Sequence, residues 1–310
     1  MRGFAGTTYD EVPYLAASFA HTHPEVLAAT ALRCGLEPPP LAGARVLELG
    51  CGRGANLVPM AWTMPDAAFV GIDLSQKQIQ EAKATAAEAG TANATFHAMD
   101  LRDLDESFGR FDYVIGHGLY SWVPPDVQEA LLEVCAQRLS PNGVVYLSYN
   151  TFPGWHLGLM FREMMLFRIR KTPDPDERLR QVRELMRVLA DSAKAEGTLW
   201  SILLEEQASY VEEAKDWYLL HDDLEAENNP VYFSEMVERV GRHGLQYVAE
   251  VRHGSPDETR APEVDQTLDR LATSRIEREQ YLDFLDNGRF RRSLFCHAGL
   301  TLAPGPVPGS

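Results

Sequence analysis

"ARVLELGCGRGAN", Ala44 to Asn56, decides the fold. Branched apolar residues run through Val46, Leu47 and Leu49 around Glu48, and glycines follow at 50, 52 and 54. The first part suits a strand; the glycines let the chain turn sharply and bring its N–H groups close to a ligand. The apolar pattern then resumes in "LVPMA" at helical spacing, and a helix N-terminus presents unpaired N–H groups. A strand, a glycine loop and a helix in that order open an α/β sheet whose ligand lies at the carboxyl ends of its strands.

Working outward, residues 44–150 alternate between short apolar runs and amphipathic stretches. Strands are expected at 44–50, 68–74, 94–100, 111–118 and 143–150, with helices at 54–64, 76–89 and 126–139 between them. "VPPD" and "SPNG" start and stop the last of these helices. From 157 to 243 the pattern is helical without an intervening strand, and Leu179, Val182, Leu185, Met186 and Leu189 form one apolar stripe. Two further strands are expected at 245–251 and 292–298, separated by a helical pair over 263–286. The expected architecture is an α/β, seven-stranded Rossmann-like sheet with a helical insertion after strand 5. Residues 1–156 and 231–300 would form the core, 157–230 a lid or acceptor-recognition insert, and 301–310 a flexible tail. The directions of the two late strands are not visible in the sequence.

Composition narrows the function. The 310 residues carry 45 acids against 29 bases, a net charge of −16, which disfavours a nucleic-acid partner and suits a cationic ligand. The sequence has no apolar run long enough to insert in a membrane and no signal-peptide pattern near its start. Cys34, Cys51, Cys135 and Cys296 are scattered without metal-type pairing, so a reduced cytoplasmic setting is expected. "HTH" at 21–23 lacks nearby cysteines or a carboxylate cluster, so no metal is expected there. "HDDLE" at 221–225 reads as a solvated helix start and "FRRS" at 290–293 as a basic surface patch.

The loop itself fits two ligands. Gly50-x-Gly52-x-x-Ala55 satisfies the dinucleotide fingerprint, whereas Glu48 with Gly50-x-Gly52-x-Gly54 suits S-adenosyl-L-methionine. Asp73 closes the second strand, where a carboxylate accepts ribose hydroxyls in either case. Three features favour the methyl donor. Glu48 is unhelpful beside a pyrophosphate but useful beside a cationic ligand. Asp100, at the end of the third strand, can accept from an adenine amino group. The two late strands also replace the parallel second half of a dehydrogenase. The donor site is therefore expected to comprise Glu48, Gly50, Cys51, Gly52, Gly54, Asn56, Asp73, Leu74, Asp100, Leu101 and His117.

"VLELGCGRGANLVPMA", "FVGIDLS", "GHGLYSWVPP", "YNTFPGWH", "DWYLLHDDLE" and "YLDFLDNGRFRRSLFCH" closely resemble bacterial class I methyltransferases that carry a methyltransferase regulatory domain. Rickettsial lysine methyltransferases acting on outer-membrane proteins belong to that group. The resemblance covers about residues 9–297, and members often continue into a further C-terminal domain. It implies an enzyme that converts S-adenosyl-L-methionine to S-adenosyl-L-homocysteine and methylates an amine-bearing acceptor, with protein lysine as one candidate. It also allows a homodimer. A small-molecule N- or O-methyltransferase and a non-catalytic donor-binding regulator remain open alternatives.

A lysine acceptor must lose a proton before it can attack. At neutral pH that costs roughly 4–5 kcal/mol, which a desolvated aromatic pocket reduces. His117, Tyr120, Trp155, His156 and Tyr14 are the candidates for catalysis; Tyr9, Tyr14, Trp122, Tyr149, Asn150 and Trp155 are those for acceptor binding. The competing reading of the tryptophans is that they pack the insert on the sheet.

Overall fold

The computed structural model describes residues 17–195, 197–251 and 261–303. They form two compact units: 17–153 together with 229–303, and Gly154–Asn228.

The first unit is built on one seven-stranded sheet. Its strands are β1 (Arg45–Leu49), β2 (Ala68–Asp73), β3 (Ala94–Ala98), β4 (Phe111–Gly116), β5 (Leu139–Asn150), β6 (Leu245–Glu250) and β7 (Phe290–His297). They are ordered β3-β2-β1-β4-β5-β7-β6. The first five are mutually parallel. β7 runs antiparallel between β5 and β6, so β7 alone is reversed. The order turns at β1, between β2 and β4, which places the crevice of an open α/β sheet at the end of β1.

Side chains alternate across the sheet, and each face has its own core. On one face Val46, Phe69, Tyr113, Val144 and Tyr146 pack against α1 (Pro24–Arg33), α2 (Leu57–Thr63) and α3 (Gln76–Glu88). On the other, Leu47, Leu49, Val145, Leu147 and Tyr149 pack against α4 (Pro125–Arg138) and, further along the chain, Phe233, Met236 and Val240. Helix starts carry the caps their sequences offer: the Ser75 hydroxyl accepts from the Gln78 N–H, and Pro125 occupies the first turn of α4.

The second unit consists of α5 (Trp155–Ile169), α6 (Pro175–Ala193), α7 (Leu199–Glu213), a single helical turn at Asp216–Tyr218 and a π-helical turn at Leu219–Asp223. Its core takes Leu179, Val182, Met186, Ala190 and Ala193 from one face of α6, with Phe161, Met165, Leu204 and Val211 from the neighbouring helices. The rest of the sheet unit includes α8 (Phe233–Arg242), α9 (Pro262–Leu271) and α10 (Arg275–Asp286).

Two expectations are corrected. "HDDLE" is not solvated: His221 and Asp223 are buried, Asp223 accepts from the Tyr210 hydroxyl at 2.7 Å, and flanking Leu219 and Leu224 draw the turn into the helical core. "FRRS" is not a surface patch either. Arg291 is 5% exposed because β7 is an inner strand, and three carboxylates offset its charge: Glu250 at 3.1 Å, Glu279 at 3.0 Å and Asp283 at 2.9 Å.

Candidate cofactor site

The loop after β1 folds over the end of β2. Gly50 and Cys51 N–H groups both donate to the Ile72 carbonyl, at 2.8 and 3.0 Å. Asp73 ties the loop from below, one carboxylate oxygen accepting from the Gly52 N–H and the other from the Ser75 N–H, each at 2.9 Å. Gly54 has φ +74°, and a Cβ there would meet Ala82 and Phe96 at 3.1 Å, so glycine is required for conformation and for space. Gly52 shares the left-handed conformation, and a Cβ on it would meet the Gln78 side chain.

Glu48 sits beneath this loop, almost completely buried. Its Oε1 accepts from Asn56 Nδ2 at 2.6 Å, while Oε2 is buried and meets no hydrogen-bond partner among the described residues. Burial pushes its pKa up to about 8, against the Asn56 hydrogen bond, which lowers it; the nearby Asp73 charge raises it further. Such an oxygen is costly unless a cationic donor meets it. The ammonium of an amino-acid ligand fits that requirement.

Leu74, next in the chain, leaves an apolar side chain 43% exposed at the crevice end of β2. Asp100 caps a short 3₁₀ turn, Leu101–Asp103, and its carboxylate binds the Arg102 guanidinium, with Nε at 2.9 Å. Any adenine contact by Asp100 must therefore share that carboxylate with Arg102. Leu101 is half-buried beside it.

His117 follows β4 directly. Phe19 covers it, ring centroids 4.0 Å apart, and His21 and Phe290 approach at 5.1 and 6.2 Å. Its Nδ1 lies 2.9 Å from the Tyr146 hydroxyl. Burial, with His21 and Arg292 adding repulsion, holds its pKa down to about 3, so the imidazole is neutral at physiological pH. The segment bearing Phe19 is pinned to the loop through Asn56, whose Oδ1 accepts from the Phe19 N–H at 2.9 Å.

The remaining candidates divide. Tyr120 and Tyr149 are core residues: the Tyr120 hydroxyl accepts from Arg239 at 3.0 Å, and that of Tyr149 pairs with Ser293 at 2.9 Å. Asn150 is buried at the end of β5, where its N–H donates to the Ser121 hydroxyl. Trp122 is half-buried in the turn after His117. Trp155, buried, and His156, exposed, open α5 in the helical unit. Tyr9 and Tyr14 lie outside the described residues. Phe19, Thr22, Tyr146 and Ser148 join the neighbourhood without having been expected there. For Tyr146 and Ser148 a signal existed: period-two alternation along β5 puts them on the face of Glu48. Among the described residues, no group of three or more His, Cys, Asp or Glu side chains is placed to hold a metal.

The strand order with one reversed strand, and a glycine loop over a buried acid, define a class I methyltransferase fold. The sequence matches a methyltransferase domain over residues 46–143 and a predicted methyltransferase regulatory domain over residues 215–297. The chain belongs to the methyltransferases that join these two domains. It is 40% identical over 232 residues to an uncharacterized protein of Rickettsia prowazekii, covering 75% of this chain and 93% of that one. A longer uncharacterized protein of the same organism is 39% identical over 95% of this chain, which spans 53% of it. Among solved structures, PKMT2 from Rickettsia typhi in complex with AdoHcy superposes with a TM-score of 0.84 at 35% identity, covering 94% of this chain and 56% of that one. The chain thus spans about half the length of these longer relatives.

Proposed function

We propose that the chain binds S-adenosyl-L-methionine at the end of β1 and transfers its methyl group to an amine, with the side chain of a protein lysine as acceptor. The observation that carries the donor assignment is the buried Glu48 Oε2, which has no hydrogen-bond partner among the described residues beneath a glycine loop and, once its proton is displaced, suits the donor's ammonium. Asp73 would take the ribose hydroxyls, Leu74 and Leu101 would border the adenine, and the loop N–H groups would face the amino-acid end. When bound, the donor supplies a methyl carbon: the amine lone pair forms the N–C bond, the C–S electrons stay on sulfur, and the amine proton passes to solvent.

The lysine acceptor is supported by the likeness to PKMT2 and by the "GHGLYSWVPP" and "YNTFPGWH" blocks that resemble the rickettsial enzymes. The test is label transfer from methyl-tritiated donor into an extract of the cells that make the protein. Label held in macromolecules and released as methyl-lysine on hydrolysis is expected. Label passing a size filter would replace the protein acceptor with a metabolite.

A further inference from the structure

His117 could serve the reaction as a base or as a hydrogen-bond donor, and its neighbours on β5 distinguish the two. The Gly118 N–H donates to Ser148 Oγ at 2.8 Å. The Ser148 side chain also hydrogen-bonds to the Tyr146 hydroxyl, and since the Ser148 oxygen already accepts from Gly118, its own proton is available for that pair. Tyr146 stands 2.9 Å from His117 Nδ1. A phenol is a stronger proton donor than an aliphatic hydroxyl and a poorer acceptor, and a neutral imidazole nitrogen is the best acceptor in this group. The Tyr146 proton therefore points to Nδ1. The second ring nitrogen of a neutral imidazole then carries the hydrogen, since the bond made by one nitrogen sets the state of the other. Tyr146 and Ser148 are both wholly buried, so water does not compete for the relay. Among the described residues the imidazole makes no other hydrogen bond, which leaves Nε2 for a ligand.

We propose that Ser148 and Tyr146 are positioning residues that fix His117 as its neutral Nε2–H tautomer, so that His117 donates to an oxygen of the bound ligand and does not act as the base. This rests on the methyltransferase reading for its setting, but the tautomer does not. An Nε2–H group cannot take a proton from an ammonium, and an amine whose single lone pair attacks carbon has none to spare for it. The partner that remains is an oxygen, carried either by the donor or by the polypeptide near the accepting amine. Deprotonation of that amine then falls to solvent or to a residue other than His117.

Nitrogen-15 correlation spectra of histidine-labelled full chain test this directly. His117 is expected to show a protonated Nε2 and an unprotonated Nδ1 from pH 8 down to pH 5. Tyr146→Phe should release the lock and give a mixture of tautomers, with Ser148→Ala moving the same way by less. A wild-type spectrum with hydrogen on Nδ1, or a folded Tyr146→Phe variant with an unchanged pattern, would overturn the proposal and leave the lysine assignment standing. If the variant does not fold, the wild-type pattern alone decides. Adding S-adenosyl-L-homocysteine separates the two oxygens: a downfield shift of the Nε2 proton assigns the donor, and an unmoved proton assigns the acceptor side.

Discussion

Asn56 Nδ2 stands 2.6 Å from Glu48 Oε1 and 3.0 Å from Thr22 Oγ1, so one carboxamide joins the buried acid of the glycine loop to the segment that carries Phe19. The cofactor end of the crevice and the aromatic cover of His117 are thereby parts of one hydrogen-bonded unit. Glu48 is its ionisable member, and the acid–base behaviour of the site follows from that residue.

Native Glu48 holds its proton to about pH 8, whereas its ordinary pKa is 4.5. The folded state therefore binds more protons than the unfolded state between those values, and stability from this group is fully present below the lower value and declines as pH rises toward the upper one. A cationic ligand displaces that proton. Affinity for S-adenosyl-L-homocysteine should rise from pH 6 to pH 8, by at most ~tenfold per unit, and titration in buffers of different ionisation enthalpy should show proton release. Glu48→Gln should remove the slope. An affinity independent of pH in the wild type would take the ammonium away from Glu48.

Asp73 holds the Gly52 N–H of the loop and the Ser75 N–H and is assigned the ribose. Asp73→Ala should weaken the donor and its demethylated product together, by roughly tenfold or more, because each hydrogen bond to a charged group is worth about 1.5–3 kcal/mol. Calorimetric titration of both compounds checks this; wild-type binding of either would show that the carboxylate serves the loop alone.

Gly54→Ala forces a left-handed residue to carry a Cβ against Ala82 and Phe96. A loss of about 1–2 kcal/mol is expected from the backbone alone, read as a lower denaturant midpoint at unchanged slope. Gly90 has φ +71° and open space around it, so Gly90→Ala should show the backbone cost without the contact.

Arg291 is enclosed by Glu250, Glu279 and Asp283, and its guanidinium carbon lies 4.0 Å from the Phe233 ring centroid. Arg291→Ala leaves buried acids without their cation and should cost about 3–5 kcal/mol in a denaturant melt. Asp283 already titrates high, at about 6 through burial, and removing its partner raises it further. The variant should therefore regain part of its stability as pH is lowered through that range and the acids become neutral. A melt of Arg291→Ala that weakens on acidification would count against the cluster.

The sheet was readable because its signals are local. Short apolar runs and glycine punctuation mark β1 to β5, and Glu48, Gly52 and Asp73 lie at or just after strand ends where sheet geometry sends ligands. What could not be read depends on distant partners. "FRRS" looks like a surface patch until Glu250, Glu279 and Asp283 gather around Arg291, and "HDDLE" looks solvated until Tyr210 reaches Asp223. Tyr120 and Tyr149 carry the same side chain as a pocket tyrosine; only Arg239 and Ser293 show that their hydroxyls are engaged in the core. Phe19 and Thr22 reach Asn56 across 37 and 34 positions, a separation at which periodicity carries no information.

The reversed strand β7 has a consequence for how the protein is made. β5 lies at the sheet's edge until Phe290–His297 arrives, and the Tyr149 hydroxyl waits for a serine 144 positions later. During synthesis the first five strands can assemble while that edge still exposes unpaired N–H and C=O groups, which are open to pairing with other chains. A nascent chain that has emerged only as far as the helical unit has β5 without its β7 partner. The last strand thus acts as a completion seal, and chaperone demand should be greatest in the interval before it emerges.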